Sequence, residues 1–426
     1  MPTKYPISPR VAALENETGT FWHDIEEEGA PLVEPIEAEP GWSLLTFLWR
    51  DRDGDTRNVF IVGGPGHWSI REDVMRQVQG SDVWFRIYRV CSDFRGSYRL
   101  SPNDSLVDLD DVEDEDWPAR SASFQPDPLN PRRLVWPRDP EDPSDRDEVR
   151  SVVELPDAPP QPWFEPRPGV PSGTVEMHRI RSRILDSERR VWVYTPPGYA
   201  AGREPYGVVL LFDGSMWAHT MPIAPTLDNL LAEGKAPPVV AVMVGNVNRN
   251  VELPCHQPFV DFLTSELVPW VRERWRVSED PARVIVAGQS YGGLASAFAA
   301  LRAPDVFGNV LGQSTSCFWK DRSDFDLESE WLTREFVRCP RVPIRFHLEA
   351  GLIETGRHSI VGKNRHLRDV LRLKGYELTY HEFNGGHDYL CWRGGLADGL
   401  IALTAGWPKA GNEMGRDRKS GSAGEP

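Results

Sequence analysis

The chain reads as an α/β protein, a mostly parallel sheet covered by helices, preceded by a smaller all-β, sandwich-like domain. Three observations predict this. Short aromatic strands separated by turn residues fill the first third, a proline-rich stretch follows, and beyond it apolar strands alternate with helical patterns. With 426 residues the chain suits two domains, each large enough to bury its own core.

Residues 1–36 are largely polar, carry the run Glu26-Glu27-Glu28 and several prolines, and read as a flexible arm. From Trp42 to Trp49 apolar positions dominate, Asp51-Arg52-Asp53-Gly54-Asp55 supplies turn chemistry, and Asn58 to Val62 resumes an apolar run, the pattern of a hairpin. Val83 to Tyr88 and Gly96 to Leu100 continue the rhythm, so residues 37–154 are expected to form an antiparallel sandwich. Two charge-dense stretches, Asn103 to Asp116 and Arg138 to Arg150, read as solvated loops. Residues 155–173 hold Pro156, Pro159, Pro160, Pro162, Pro166, Pro168 and Pro171 and read as a semi-rigid linker.

In residues 174–408, short apolar strands at Val191 to Tyr194, Val208 to Phe212, Val239 to Val244, Val284 to Ala287, Val310-Leu311 and Ile344 to Leu348 alternate with helical patterns such as Pro258 to Arg272 and Lys363 to Leu373. Such alternation builds a mostly parallel sheet. Residues 409–426 are rich in Gly, Ser and charge and read as a disordered tail.

The 48 Lys+Arg against 64 Asp+Glu leave a formal charge of −16, which repels polyanions and argues against nucleic acid as a partner. The cysteines, Cys91, Cys255, Cys317, Cys339 and Cys391, show no short repeat, so neither a zinc site nor a dense disulfide framework is signalled, and reduced thiols fit a cytosol. Met1 to Glu28 has no apolar signal core, and no run of about 18 apolar residues occurs. A cytoplasmic protein with no membrane partner is the expectation; how many chains assemble is not readable.

The chemistry concentrates where strand Val284 to Ala287 runs into Gly288-Gln289-Ser290-Tyr291-Gly292-Gly293 and then a small-residue helical stretch, Leu294 to Leu301. Strand, tight turn and helix around G-x-S-x-G are the context of a nucleophile elbow and predict an α/β-hydrolase fold. A serine hydroxyl needs a base within reach and a group that orients the base, in the chain order Ser, acid, His. His387, in Asn384-Gly385-Gly386-His387-Asp388 after a strand-like Leu378 to Glu382, is the best base. His358, in a loop, is the second candidate; His347, His366 and His381 sit in strand or helix patterns and suit core or surface roles. For the acid, Glu354 lies past a Gly beyond strand Ile344 to Leu348 and is favoured over Glu349 at the strand edge, with Asp388 third. An oxyanion hole requires two N–H groups, expected from Tyr291 and from Gly214 in the loop after Val208 to Phe212.

Several strings go beyond the elbow. Asp213-Gly214 with Trp217-Ala218, Glu252-Leu253-Pro254-Cys255, Val286 to Ser290 with Gly292-Gly293-Leu294, and Gly385-Gly386-His387-Asp388 with Cys391-Trp392-Arg393-Gly394-Gly395-Leu396 resemble the ferric enterochelin (enterobactin) esterases. In the first domain Phe47 with Trp49-Arg50-Asp51, Arg95-Gly96-Ser97-Tyr98, Asp127 to Pro131 and Leu155-Pro156 with Ala158-Pro159 resemble that family's amino-terminal module. The resemblance covers about residues 40–405 and implies hydrolysis of the esters in a catecholate trilactone siderophore, ferric or free, releasing iron inside the cell. No cofactor is implied; iron arrives with the substrate. A ferric tris-catecholate is an anion, for which Arg249 is the first-choice cation; Arg393 is either a second or a structural partner, and Trp217 and Trp319 either stack on catechol rings or pack. Two rival readings share the fold: an esterase-D-type hydrolase of acyl-sugar, feruloyl or thioester substrates, and a noncatalytic siderophore-binding protein.

Overall fold

The computed structural model describes residues 8–14, 20–66, 69–107, 116–143, 145–200, 204–320, 329–356 and 358–408. The expected tail 409–426 lies outside them. Contacts divide the chain into two compact units, Met1–Pro160 with Ala350–Gly362 and Glu382–Cys391, and Gln161–Glu349 with Lys363–His381 and Trp392–Pro426. The main division falls inside the proline-rich stretch. Two short segments from the carboxyl-terminal half nevertheless belong to the first unit, and nothing in the sequence announced this.

The first unit contains β1 (Leu32–Pro35), β2 (Trp42–Arg50), β3 (Val59–Gly63), β4 (Arg76–Gln77), β5 (Val83–Cys91), β6 (Arg95–Pro102), β7 (Arg133–Trp136) and β8 (Glu148–Glu154). They form two antiparallel sheets, β1-β2-β5-β4 and β3-β6-β8-β7. Leu45, Phe47 and Tyr88 from one sheet and Ile61, Tyr98 and Leu100 from the other share a core, with Phe47 edge-on to Tyr88 at 5.6 Å and to Tyr98 at 4.6 Å. The expected hairpin 42–62 is corrected: β2 and β3 pair in different sheets, so the Asp-Gly turn carries the chain from one layer to the other.

The flexible-arm reading of residues 1–36 also fails for the described part. Alternation in β2 sends Leu45 and Phe47 to one face and Leu48 to the opposite one, which must be covered. A helix at Phe21–Glu28 does this, burying Phe21, Trp22 and Ile25 with Leu48 and Val83, and β1 pairs with β2. The acidic insert is likewise not wholly solvated. Asp104 is buried and accepts from the Arg120 guanidinium at 2.9 Å, while residues 108–115 lie outside the described residues.

The second unit is built on a sheet of β9 (Thr174–Ser182), β10 (Ser187–Thr195), β11 (Gly207–Leu211), β12 (Val239–Val244), β13 (Val284–Gln289), β14 (Asn309–Gln313), β15 (Arg345–Gly351) and β16 (Glu377–Phe383), in the order β16-β15-β14-β13-β11-β12-β10-β9. Strands β12, β11, β13, β14 and β15 pair in parallel. Full burial of β11 to β14 explains their unbroken Val/Ile/Leu runs. β10 is antiparallel to both β9 and β12, and β9 carries no apolar run in the sequence because it is an edge strand whose side chains are mostly exposed. Among the described residues no helix is long and apolar enough to cross a membrane.

Candidate active site

β13 ends at Gln289 and a twelve-residue helix begins at Tyr291, leaving Ser290 alone at the joint with φ 57° and ψ −120°. Serine rarely adopts this conformation, which stores on the order of 1–3 kcal/mol and exposes the hydroxyl on a tight bend. The bend persists because both sides hold it: Ser290 N donates to the Gln313 carbonyl at 2.9 Å, and Leu294 N and Ser316 N donate to the Ser290 carbonyl at 3.1 Å each. Gly288 is required by close approach, since a Cβ there would lie 2.4 Å from the Gly292 carbonyl carbon. The Ser290 and Ser316 hydroxyls are 3.1 Å apart, a contact with no sequence signal. Cys317, beside Ser316, is not a competing nucleophile: burial, with Glu330 adding, pushes its thiol up and keeps it protonated.

The loop after β11 starts with Asp213 at φ 56° and Gly214, whose missing Cβ would sit 2.7 Å from the Met243 backbone. Asp213 is buried and its carboxylate accepts from Asn246 Nδ2 at 2.5 Å and from Arg249 Nε and Nη2 at 2.7 and 2.9 Å. The Arg249 charge is thus matched by Asp213, Nη2 also donates to the Gln289 carbonyl at 3.4 Å, and the side chain remains 34% exposed. Tyr291 opens its helix, where amides lack intrahelical acceptors and the dipole favours negative charge.

Trp217 is 1% exposed and its Nε1 donates to Gln289 Oε1 at 3.0 Å, so its ring supports the elbow from within and does not offer a face to a ligand. The same buried chain continues from Gln289 Nε2 to Gln313 Oε1 at 2.7 Å and from Gln313 Nε2 to Glu349 Oε1 at 2.5 Å. Glu349, the runner-up acid, is therefore a member of this network beneath the nucleophile turn. Trp319 is half-buried and edge-on to Trp331 at 5.6 Å, three residues from Ser316. Arg393 donates to Gln161 Oε1 at 2.6 Å and lies over the Phe164 ring at 4.0 Å, a structural pairing with the proline-rich stretch.

The candidate acid and the candidate base meet in the first unit. His387 Nδ1 lies 2.6 Å from Glu354 Oε1, and Glu354 Oε2 accepts from Gly351 N at 2.7 Å. Glu354 is 2% exposed, and the Gly351 amide fixes one carboxylate oxygen while the other meets the ring. Asp388 instead accepts from Ser97 N at 2.5 Å and Leu390 N at 2.9 Å, the second bond capping the helix Tyr389–Thr404. His358 is exposed, and His347 is buried against Thr379 at 2.8 Å with burial, helped by His381, lowering it to about 4, which makes it a neutral core residue. Among the described residues no group of three or more His, Cys, Asp and Glu side chains is placed to hold a metal ion.

Comparison with known proteins bears out the resemblance read from the motifs. Residues 182–403 match the family described as putative esterase, and residues 44–164 match the family described as enterochelin esterase, N-terminal. An iron(III) enterobactin esterase of Dickeya dadantii is 33% identical, the match covering 91% of this chain and 93% of that protein, and one from Escherichia coli K12 is also 33% identical over 85% and 94%. The crystal structure of an enterobactin esterase from Shigella flexneri in the presence of enterobactin covers 91% of this chain and 98% of its own, with 29% identity and a TM-score of 0.70. A ferric enterobactin esterase structure from Salmonella typhimurium covers 87% and 96%, with 31% identity and a TM-score of 0.71.

Proposed function

Because the chain belongs to the ferric enterobactin (enterochelin) esterase family, we propose that it is a serine esterase that opens the trilactone of a catecholate siderophore, ferric or free, and so releases iron. The observation that carries this is the match of both domains, amino-terminal module included, over nine-tenths of the chain. A general esterase would need only the second.

In the proposed cycle Ser290 Oγ attacks a lactone carbonyl while His387 Nε2 takes its proton, and Glu354 stabilises the imidazolium through Nδ1. Support comes from the strained Ser290 conformation, the His387–Glu354 pair and the chain order Ser, Glu, His. The oxyanion receives hydrogen bonds from the Tyr291 and Gly214 amides. The intermediate collapses by breaking the bond to the ring oxygen, which leaves with the His387 proton. Water, deprotonated by His387, then attacks the acyl-enzyme and frees Ser290. Arg249, partly exposed and bonded to Asp213 next to Gly214, is the cation assigned to the anionic catecholate, and Trp319 the aromatic assigned to its ring. Iron is cargo. We place the reaction in the cytoplasm, where the five cysteines stand as thiols.

Mass spectrometry of products from free and ferric trilactone, with wild type and Ser290→Ala side by side, tests this. Linear trimer, dimer or monomer is expected with wild type alone. Turnover of feruloyl or aryl esters with the trilactone untouched would mean an esterase-D-type enzyme, and binding without turnover a carrier.

A further inference from the structure

The loop that carries His387 is rich in glycine, and a base on such a loop must be held from outside to keep its geometry. Four hydrogen bonds from one corner of the amino-terminal sandwich do so. Arg95 N donates to the Asn384 carbonyl at 3.1 Å, and Asn384 Nδ2 donates to Asp93 Oδ1 at 2.6 Å. Ser97 N donates to Asp388 Oδ2 at 2.5 Å, and Cys391 Sγ donates to the Arg95 carbonyl at 3.3 Å. They grip the chain on both sides of His387. Gly385 has no left-handed φ to explain it, but a Cβ there would lie 2.5 Å from Cys391 Sγ and 2.9 Å from the Arg95 carbonyl oxygen. That glycine lets the corner come close.

The corner itself is anchored. Phe94 is 1% exposed in the sandwich core, its carbonyl accepts from Leu155 N at 3.0 Å, and the Ser92 carbonyl accepts from Asp157 N at 3.0 Å. The Arg95 guanidinium is held by Glu154 and by the Pro159 carbonyl. The acid is tied to the same body, because Ile353, next to Glu354, packs against the sandwich core.

We propose that the β5–β6 corner, through Asp93 and the backbone of Arg95 and Ser97, positions His387 for proton transfer, so that the amino-terminal domain is part of the catalytic apparatus. This rests on His387 being the base. Its residues are positioning residues: they touch the loop and not the reacting atoms.

The test uses the full chain with an aryl ester and with ferric trilactone, comparing Asp93→Ala, Asp93→Asn, Asp388→Ala, His387→Ala and Ser290→Ala, with melting temperatures throughout. Asp93→Ala is expected to lower kcat roughly 3–10-fold and Asp388→Ala roughly 10–100-fold, with KM within about twofold on the aryl ester. Asp93→Asn keeps an acceptor for Asn384 and should restore kcat. Asp388→Ala also removes a helix cap, so the half-exposed Asp93 pair is the cleaner reading. Wild-type kcat in both alanine variants, or failure of Asp93→Asn to restore it, overturns the positioning role. Undiminished turnover by His387→Ala would instead overturn the assignment of the base, and that control tells the two failures apart.

Discussion

Replacing Glu354 by glutamine changes one atom and tests the acid directly. The carboxylate accepts from two donors, His387 Nδ1 at 2.6 Å and Gly351 N at 2.7 Å, in a site only 2% exposed. An amide has one acceptor and one donor and cannot serve both. With its oxygen on the imidazole, its NH2 faces the Gly351 N–H, leaving buried donors unsatisfied at a cost of about 1–3 kcal/mol, and the imidazolium loses a charge-assisted bond worth about 1.5–3 kcal/mol. With the amide reversed, its NH2 donates to Nδ1 and fixes the ring proton on Nε2, the nitrogen that in the proposed cycle accepts from Ser290. Either arrangement raises the chemical barrier by roughly 3–5 kcal/mol, so kcat for Glu354→Gln should fall about 10²–10⁴-fold. The assay is aryl-ester and ferric-trilactone hydrolysis, with the rate of fluorophosphonate labelling at Ser290 as a readout of proton abstraction and thermal melting as a control of folding. A folded Glu354→Gln enzyme with kcat within about threefold of wild type would refute the reasoning and return the role to Glu349.

Two further expectations concern the amino-terminal unit. Asp73 is fully buried against the Tyr88 hydroxyl at 2.6 Å, and burial, opposed by hydrogen bonds from Tyr88 and Ser69, raises its carboxyl to about 7. Its folded-state pKa lies above the unfolded one, so the stabilisation is fully present below about pH 4 and is lost as pH rises toward about 7, by up to about 1.4 kcal/mol per pH unit across that window. Denaturant titrations at stepped pH should show this slope, and Asp73→Asn should flatten it. The Arg120–Asp104 pair, with side chains 5% and 0% exposed, predicts that Asp104→Ala destabilises by about 3–5 kcal/mol through a stranded guanidinium, seen as a lowered chemical-denaturation midpoint with KM unchanged in protein that remains folded.

Local pattern made much of this protein legible. Buried parallel strands leave continuous apolar runs, so β11 to β15 could be located to within a few residues, and the elbow declares itself because a serine held at φ 57° needs glycines around it. Its place past the strand end favours Glu354 over Glu349, and the structure pairs Glu354 with His387. Less legible were elements whose role lies in what they cover. The helix Phe21–Glu28 mixes charge with Phe21, Trp22 and Ile25, and its apolar side has meaning only against Leu48 and Val83. The sequence leaves Trp217 and Arg393 open between ligand contact and packing, and only the structure shows their partners Gln289, Gln161 and Phe164.

By itself the sequence determined the fold class and the family and singled out Ser290, His387 and Glu354 as candidate nucleophile, base and acid, because these depend on residue types at short, fixed spacing along one strand or loop. Only tertiary structure decided that Asp213 matches the charge of Arg249, that Glu349 belongs to the polar chain under the elbow, and that the loops of His387 and Glu354 share a compact unit with the sandwich. Those outcomes turn on which distant segments exclude water from one another, and Ser97 bonded to Asp388, or Asp93 to Asn384, spans a sequence separation of 291 that no local pattern encodes.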